Sequence, residues 1–100
     1  MKGKILGLLG LCRRCRGLSI GFDDVVKKVK KRKTGLILVS NDFSCKSLHS
    51  IKEKLNNFDA QFIILEDITM EDLYSVFKKR TGVILVENSD FEDGLKKLIF

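Results

Sequence analysis

Apolar residues recur along this chain in two rhythms that take turns. Ile5, Leu8, Leu9, Cys12 and Cys15 stand at helical spacing, which predicts a first helix over about residues 3 to 16 with Gly17 as its C-terminal stop. Leu18, Ser19 and Ile20 make a short extended piece that ends at Gly21, a residue free to take backbone conformations closed to others. Phe22, Val25, Val26 and Val29 then repeat at i, i+3, i+4 and i+7, with Asp23 and Asp24 at the start and Lys27 to Lys33 crowding the end. Acids at the N-terminus and cations at the C-terminus suit the helix dipole, so a second helix is expected here.

Thr34 and Gly35 break that period before Leu36, Ile37, Leu38 and Val39, a continuous apolar run of the kind buried on both faces of a sheet. Leu48, Ile51 and Leu55 predict a helix over about residues 44 to 57, and Phe62 to Leu65 a further buried strand. Thr69 with Asp72 approximates a capping box ahead of Leu73, Val76 and Phe77. Val83 to Val86 form the last strand, and Ser89 with Glu92 caps a final helix through Leu95, Leu98 and Ile99. Strands alternating with helices predict a three-layer α/β/α sandwich about a mostly parallel sheet. One hundred residues suffice for a single domain, 1–100.

The longest apolar runs, Ile5 to Cys12 and Phe62 to Leu65, are far shorter than the roughly 20 residues that cross a bilayer. No membrane partner is expected. Lys2 and Lys4 precede the first run as in a secretory leader, yet Arg13, Arg14 and Arg16 follow it without a small-residue cleavage site. Three cysteines, an odd number at uneven spacing, do not form a disulfide framework, so reduced thiols and a cytoplasmic location are expected.

The net charge of +6 says less than its distribution. Residues 1–35 hold 11 Lys and Arg against Asp23 and Asp24, whereas residues 36–100 hold 8 against 11 acids. Basicity confined to one end is the footprint of a surface that meets a polyanion, because clustered cations release counterions condensed on phosphates. A solvated helix face is the plainer source of the same charge run.

Catalytic chemistry finds little footing. Cys12 and Cys15 form a C-x-x-C near the end of the first helix, whereas redox pairs open a helix, so both are read as small apolar core positions. A zinc site would need Cys45 and His49 as further ligands. His49 itself reads as a surface residue, and Asp42, Glu66 and Asp67 as caps or turn formers. Gly3, Gly7 and Gly10 lie within a helical pattern rather than in a phosphate-binding loop. No enzyme, cofactor or metal is expected.

The stretch Leu8-Leu9-Gly10-Leu11-Cys12-Arg13-Arg14-Cys15, with Leu18-Ser19-Ile20-Gly21 and the acidic-to-basic helix after it, resembles the bacterial YlxQ-like branch of the ribosomal protein superfamily that binds kink-turn RNA. Leu36 to Ser40 followed by Asn41-Asp42-Phe43-Ser44, the Val83 to Val86 strand and the Phe91 to Leu98 helix extend the likeness over nearly the whole chain. The resemblance implies a mixed four-stranded sheet in an α/β/α sandwich. It implies an RNA grip made of Gly21, Phe22, Asp23, Asp24 and Lys27, with Thr81, Gly82 and Val83 as an aliphatic loop before the last strand.

The residues support such a grip on physical grounds. A glycine admits close backbone approach, a helix N-terminus offers N–H groups to phosphate, and a carboxylate accepts from guanine N1 and N2. Lys28, Lys31 and Arg14 would hold the sugar-phosphate backbone beside Lys27, with Lys30 and Arg16 adding to the field. The chain departs from the family in having Asp23-Asp24 where an Asn-Glu pair is common, and Tyr74 and Lys78 where glycines are usual. The expected protein is a monomeric RNA binder, ribosome-associated or acting on another structured RNA. The alternatives are a protein-interaction module of the same fold and a thiol or zinc protein using Cys12, Cys15 and Cys45.

Overall fold

In the strand Thr34–Ser40, successive side chains point to opposite layers, which is why its apolar run has no polar alternation. Leu36 and Leu38 pack with Leu9, Leu73, Phe77 and Leu95, while Ile37 and Val39 pack with Val25, Val29, Ile51 and Leu55. The computed structural model describes residues 2–99. Its elements are α1 (Lys2–Arg14), β1 (Leu18–Ile20), α2 (Phe22–Arg32), β2 (Thr34–Ser40), α3 (Cys45–Lys54), β3 (Asp59–Leu65), α4 (Met70–Phe77), β4 (Val83–Val86) and α5 (Ser89–Ile99). Helices α1, α4 and α5 cover one face of the sheet, and α2 and α3 the other. The fold is the expected three-layer α/β/α sandwich. Among the described residues, no helix is long and apolar enough to cross a membrane.

The sheet has four strands in the order β1-β4-β2-β3. β2 and β3 are parallel, but β4 runs antiparallel to both of its neighbours. The sheet is therefore mixed and four-stranded, as the resemblance implies, rather than mostly parallel as element order alone predicts. The reason lies in α4. Helices α2 and α3 each carry the chain the length of the sheet, so β1, β2 and β3 share a direction. β3 leaves at Leu65 opposite Ser40, and β4 enters at Val83 opposite Val39, at the same end. Only eight residues long, or about 12 Å, α4 stays at that end and the chain re-enters reversed.

Local chemistry sets the helix ends. Thr69 accepts from the Asp72 amide at 3.1 Å and Asp72 from the Thr69 amide at 3.0 Å, completing the expected capping box. That amide, and then Lys2 at 3.0 Å, hold the Asp72 carboxyl below its ordinary pKa. The last helix is capped one residue earlier than expected: Asn88 Oδ1 accepts from the amides of Asp90 at 2.9 Å and Phe91 at 3.3 Å, leaving Ser89 as the first helical residue.

The end of α1 also differs. Arg16, at φ 57°, takes the left-handed position, and the Gly17 amide donates to Cys12 O at 2.8 Å in the following one. Gly17 serves close packing, since a Cβ there would lie 2.9 Å from Cys12 Sγ and 3.1 Å from Asn88 Cβ.

Candidate nucleic-acid interface

β1 lies at the edge of the sheet. Its ladder with β4 is continued by the Glu87 amide donating to Gly17 O at 2.7 Å and the Gly21 amide donating to Val83 O at 3.2 Å. Alternation in an antiparallel pair then turns the N–H and C=O of Leu18 and Ile20 away from β4, toward the open side. That edge floors a cleft of about 700 Å³.

Both walls are cationic. Asp24, Lys27, Lys28 and Lys31 fall at i, i+3, i+4 and i+7 of α2 and share one face, while Val25 and Val29 bury the other. Arg13 and Arg16, three residues apart at the end of α1, line the cleft opposite, and Lys79 reaches in from the segment before β4. Six cations therefore surround one carboxylate. A low-dielectric concavity lined by one sign of charge concentrates its field outward, toward anions.

Several of these cations are held or left free in informative ways. The Arg13 guanidinium donates to the Phe77 carbonyl at the end of α4 and lies 5.5 Å from the Phe77 ring centroid. Lys28 Nζ sits 3.8 Å from Glu87, whose other oxygen accepts from Ser19. Among the described residues, Arg16, Lys27, Lys31 and Lys79 are in no salt bridge. Beside the cleft, where an added Cβ would lie 3.9 Å from Lys79 Nζ, Gly21, at φ 101° and ψ 153°, starts α2 without a side-chain cap. The amides of the first turn thus meet no capping side chain, and Asp23 and Asp24 are exposed beside them.

The expected site residues divide into three groups. Gly21, Asp23, Asp24, Lys27, Lys28 and Lys31 lie together along α2 and its start. Phe22 begins the same helix half-buried, packed on the core under α2 and α3. Thr81, Gly82 and Val83 adjoin Gly21 through the Gly21–Val83 bond, but they are buried, Thr81 at 5% exposure and Val83 at 1%. A Cβ at Gly82 would lie 2.5 Å from Phe43 Cδ1, so this glycine makes room for the core. What the segment presents to solvent is Lys78, Lys79 and Arg80.

Arg14 is the misplaced member: it borders Leu6, Gly10 and Val76 on the α1–α4 side, and Arg13 and Arg16 are the cleft arginines. Lys30 is exposed and lies outside the cleft lining. The three consecutive cations Lys78-Lys79-Arg80 were a signal for Lys79 that the reading from sequence passed over.

Cys12 is buried, donates its thiol to Gly17 O at 3.3 Å, and has its pKa pushed up to about 11 by burial, then by Cys15 and Glu87. Cys15, expected in the core, is instead exposed just past the end of α1, and Cys45 is exposed as well. Among the described residues no three His, Cys, Asp or Glu side chains stand close enough to hold a metal. His49 is exposed with Nε2 3.1 Å from Glu53.

No protein-family model matches this chain, and no curated protein does. Chains of solved structures do match, 31 in all. One is described as a protein with unknown function from Bacillus halodurans C. It is 27% identical, with a TM-score of 0.76, and the match covers 96% of either chain. The likeness carries the fold and brings no activity with it.

Proposed function

We propose that this chain is a non-enzymatic RNA-binding protein that seats a structured RNA along the β1 edge, between the end of α1 and the exposed face of α2. One observation carries the reading: six cations and a single carboxylate line one cleft, beside the uncapped start of α2. Phosphates entering the cleft exchange condensed counterions for Lys27, Lys31, Arg16 and Lys79, which gives affinity without reading bases. Shape selectivity comes from the start of α2. Gly21 presents no side chain, so a bent sugar-phosphate backbone approaches the helix amides, and Asp24 accepts from an exposed guanine edge.

The resemblance to kink-turn binders points to the same end of the molecule, and a ribosomal or other cytoplasmic RNA is the partner this reading assigns. The test is binding of a labelled kink-turn duplex beside an unkinked duplex of equal length, at two salt concentrations. Both RNAs are expected to bind, the kinked one more tightly. With about five phosphate contacts, affinity falls by roughly two to three orders of magnitude from about 50 to 200 mM salt. Neither RNA shifting at low salt, with a specific protein co-purifying instead, would favour an interaction module.

A further inference from the structure

The sheet has two edges, and β3 forms the one opposite the cationic cleft. The Asp59 amide donates inward, to Lys33 O at 3.1 Å, so alternation along the strand turns the N–H and C=O of Phe62 and Ile64 outward, away from β2. β3 carries no proline and, past Asp59, no charge, the usual guards of an open edge. Beside it lies a hollow of about 460 Å³ between β3, the start of α1 and the end of α5. Ile5, Ile63, Leu98 and Ile99 line it, and Ile64 on the strand itself is 51% exposed. An open edge beside an apolar hollow suits an extended peptide: main-chain bonds to the edge supply affinity, and every second side chain enters the hollow.

Charge selects the occupant. Past the C-terminal end of β3, Glu66 and Asp67 line the hollow and, among the described residues, form no salt bridge. Lys2, the cation of the lining, is engaged by Asp72 at 3.0 Å. A second copy of the chain fits poorly. Pairing β3 with itself about a two-fold axis at Ile63, which matches Phe62 with Ile64 of the second copy, sets Asp59 opposite Asp67. Like charges facing each other across strands are unfavourable. A segment bearing lysine or arginine meets the same acids with the opposite sign.

We propose that the β3 edge takes a basic, extended peptide of a partner protein as a fifth strand, with alternate apolar side chains in the hollow and its cations against Glu66 and Asp67. Because β1 and β3 are opposite edges of one sheet, the cationic cleft stays open while the peptide is bound. The probe is a dye-labelled eight-residue peptide alternating valine and lysine. Beside it are the same peptide with glutamate for lysine and another with serine for valine. Anisotropy measures binding, and amide hydrogen exchange locates it.

The valine–lysine peptide is expected to slow exchange at Phe62 and Ile64, and to bind at least tenfold more tightly than its serine counterpart. The glutamate peptide should leave those two amides unchanged, wherever else it binds. Glu66→Gln with Asp67→Asn should weaken the valine–lysine peptide about fivefold and leave RNA affinity as it was, since both residues lie outside the cleft. Unchanged exchange at Phe62 and Ile64 with the valine–lysine peptide, or equal slowing by the glutamate peptide, would overturn the proposal. So would slowing in the protein alone that grows with its concentration beside a doubled mass in sedimentation, which would assign the edge to a second copy.

Discussion

The Ser19 hydroxyl donates to Glu87 at 2.8 Å and so holds a carboxylate against the floor of the cationic cleft, 3.8 Å from Lys28 Nζ. Glu87 continues the chain from β4, and its amide bond to Gly17 O fixes it there. The placement opposes anion binding: Glu87 lies behind Ser19 and outside the cleft lining, and its charge offsets part of the field of the lining cations, that of Lys28 above all.

Glu87→Gln keeps an acceptor for Ser19 and removes that charge. RNA affinity at low salt is expected to rise about fivefold, the effect of roughly 1 kcal/mol from one partly solvated charge at short range. Titration of labelled duplex at low and high salt checks it, and the gain should shrink as salt rises.

Arg16 bears a left-handed backbone, φ 57°, where glycine is the ordinary choice, and its side chain lines the cleft. Arg16→Gly is expected to stabilise the fold by about 1 kcal/mol, since glycine takes this conformation without the Cβ penalty. The same change should weaken RNA binding. Chemical denaturation and an RNA titration on one variant read the two opposite effects.

Gly82→Ala tests the packing role that replaced an RNA-facing one for this residue. The new methyl would sit 2.5 Å from Phe43 Cδ1 and 3.0 Å from Ser40 Oγ. Stability should fall by about 1–3 kcal/mol through overpacking. RNA affinity of the folded variant should stay close to the original. A large loss of affinity at unchanged stability would return Gly82 to the interface.

Cys12 gives a pH dependence of definite sign. Its thiol pKa is raised from 9.0 to about 11 in the folded state, so between those values the unfolded chain releases a proton that the folded chain keeps. This contribution to stability is complete below pH 9 and is lost as pH rises toward 11. Near pH 8 an alkylating reagent should therefore modify two thiols, Cys15 and Cys45, in the folded protein and a third only on unfolding. Mass spectrometry counts them, and Cys12→Ser should flatten the alkaline limb.

Element order was legible because hydrophobic period alone distinguishes the strands from the helices here, and Leu36 to Val39 announced a strand covered on both faces. The direction of β4 was not legible: a helix between two strands reads alike whether it spans the sheet or, as with α4, turns back at one end. Within the site, the α2 cations were readable from their spacing beside Val25 and Val29. The choice of Arg13 and Arg16 over Arg14 depends on which flank of α1 faces α2, a tertiary fact. Lys79 enters the cleft only because β4 pairs with β1, which brings two segments distant in sequence side by side.

The most direct measurement is the slope of log affinity against log salt concentration for a kinked and an unkinked duplex, taken for the unaltered protein, Lys27→Ala, Lys31→Ala and, as a control outside the cleft, Lys54→Ala. If phosphates occupy the cleft, each cleft variant flattens the slope by about 0.7–1 and weakens binding to kinked and unkinked RNA alike, while Lys54→Ala changes neither. Identical slopes for all four proteins would contradict the assignment of the cleft as the seat of RNA.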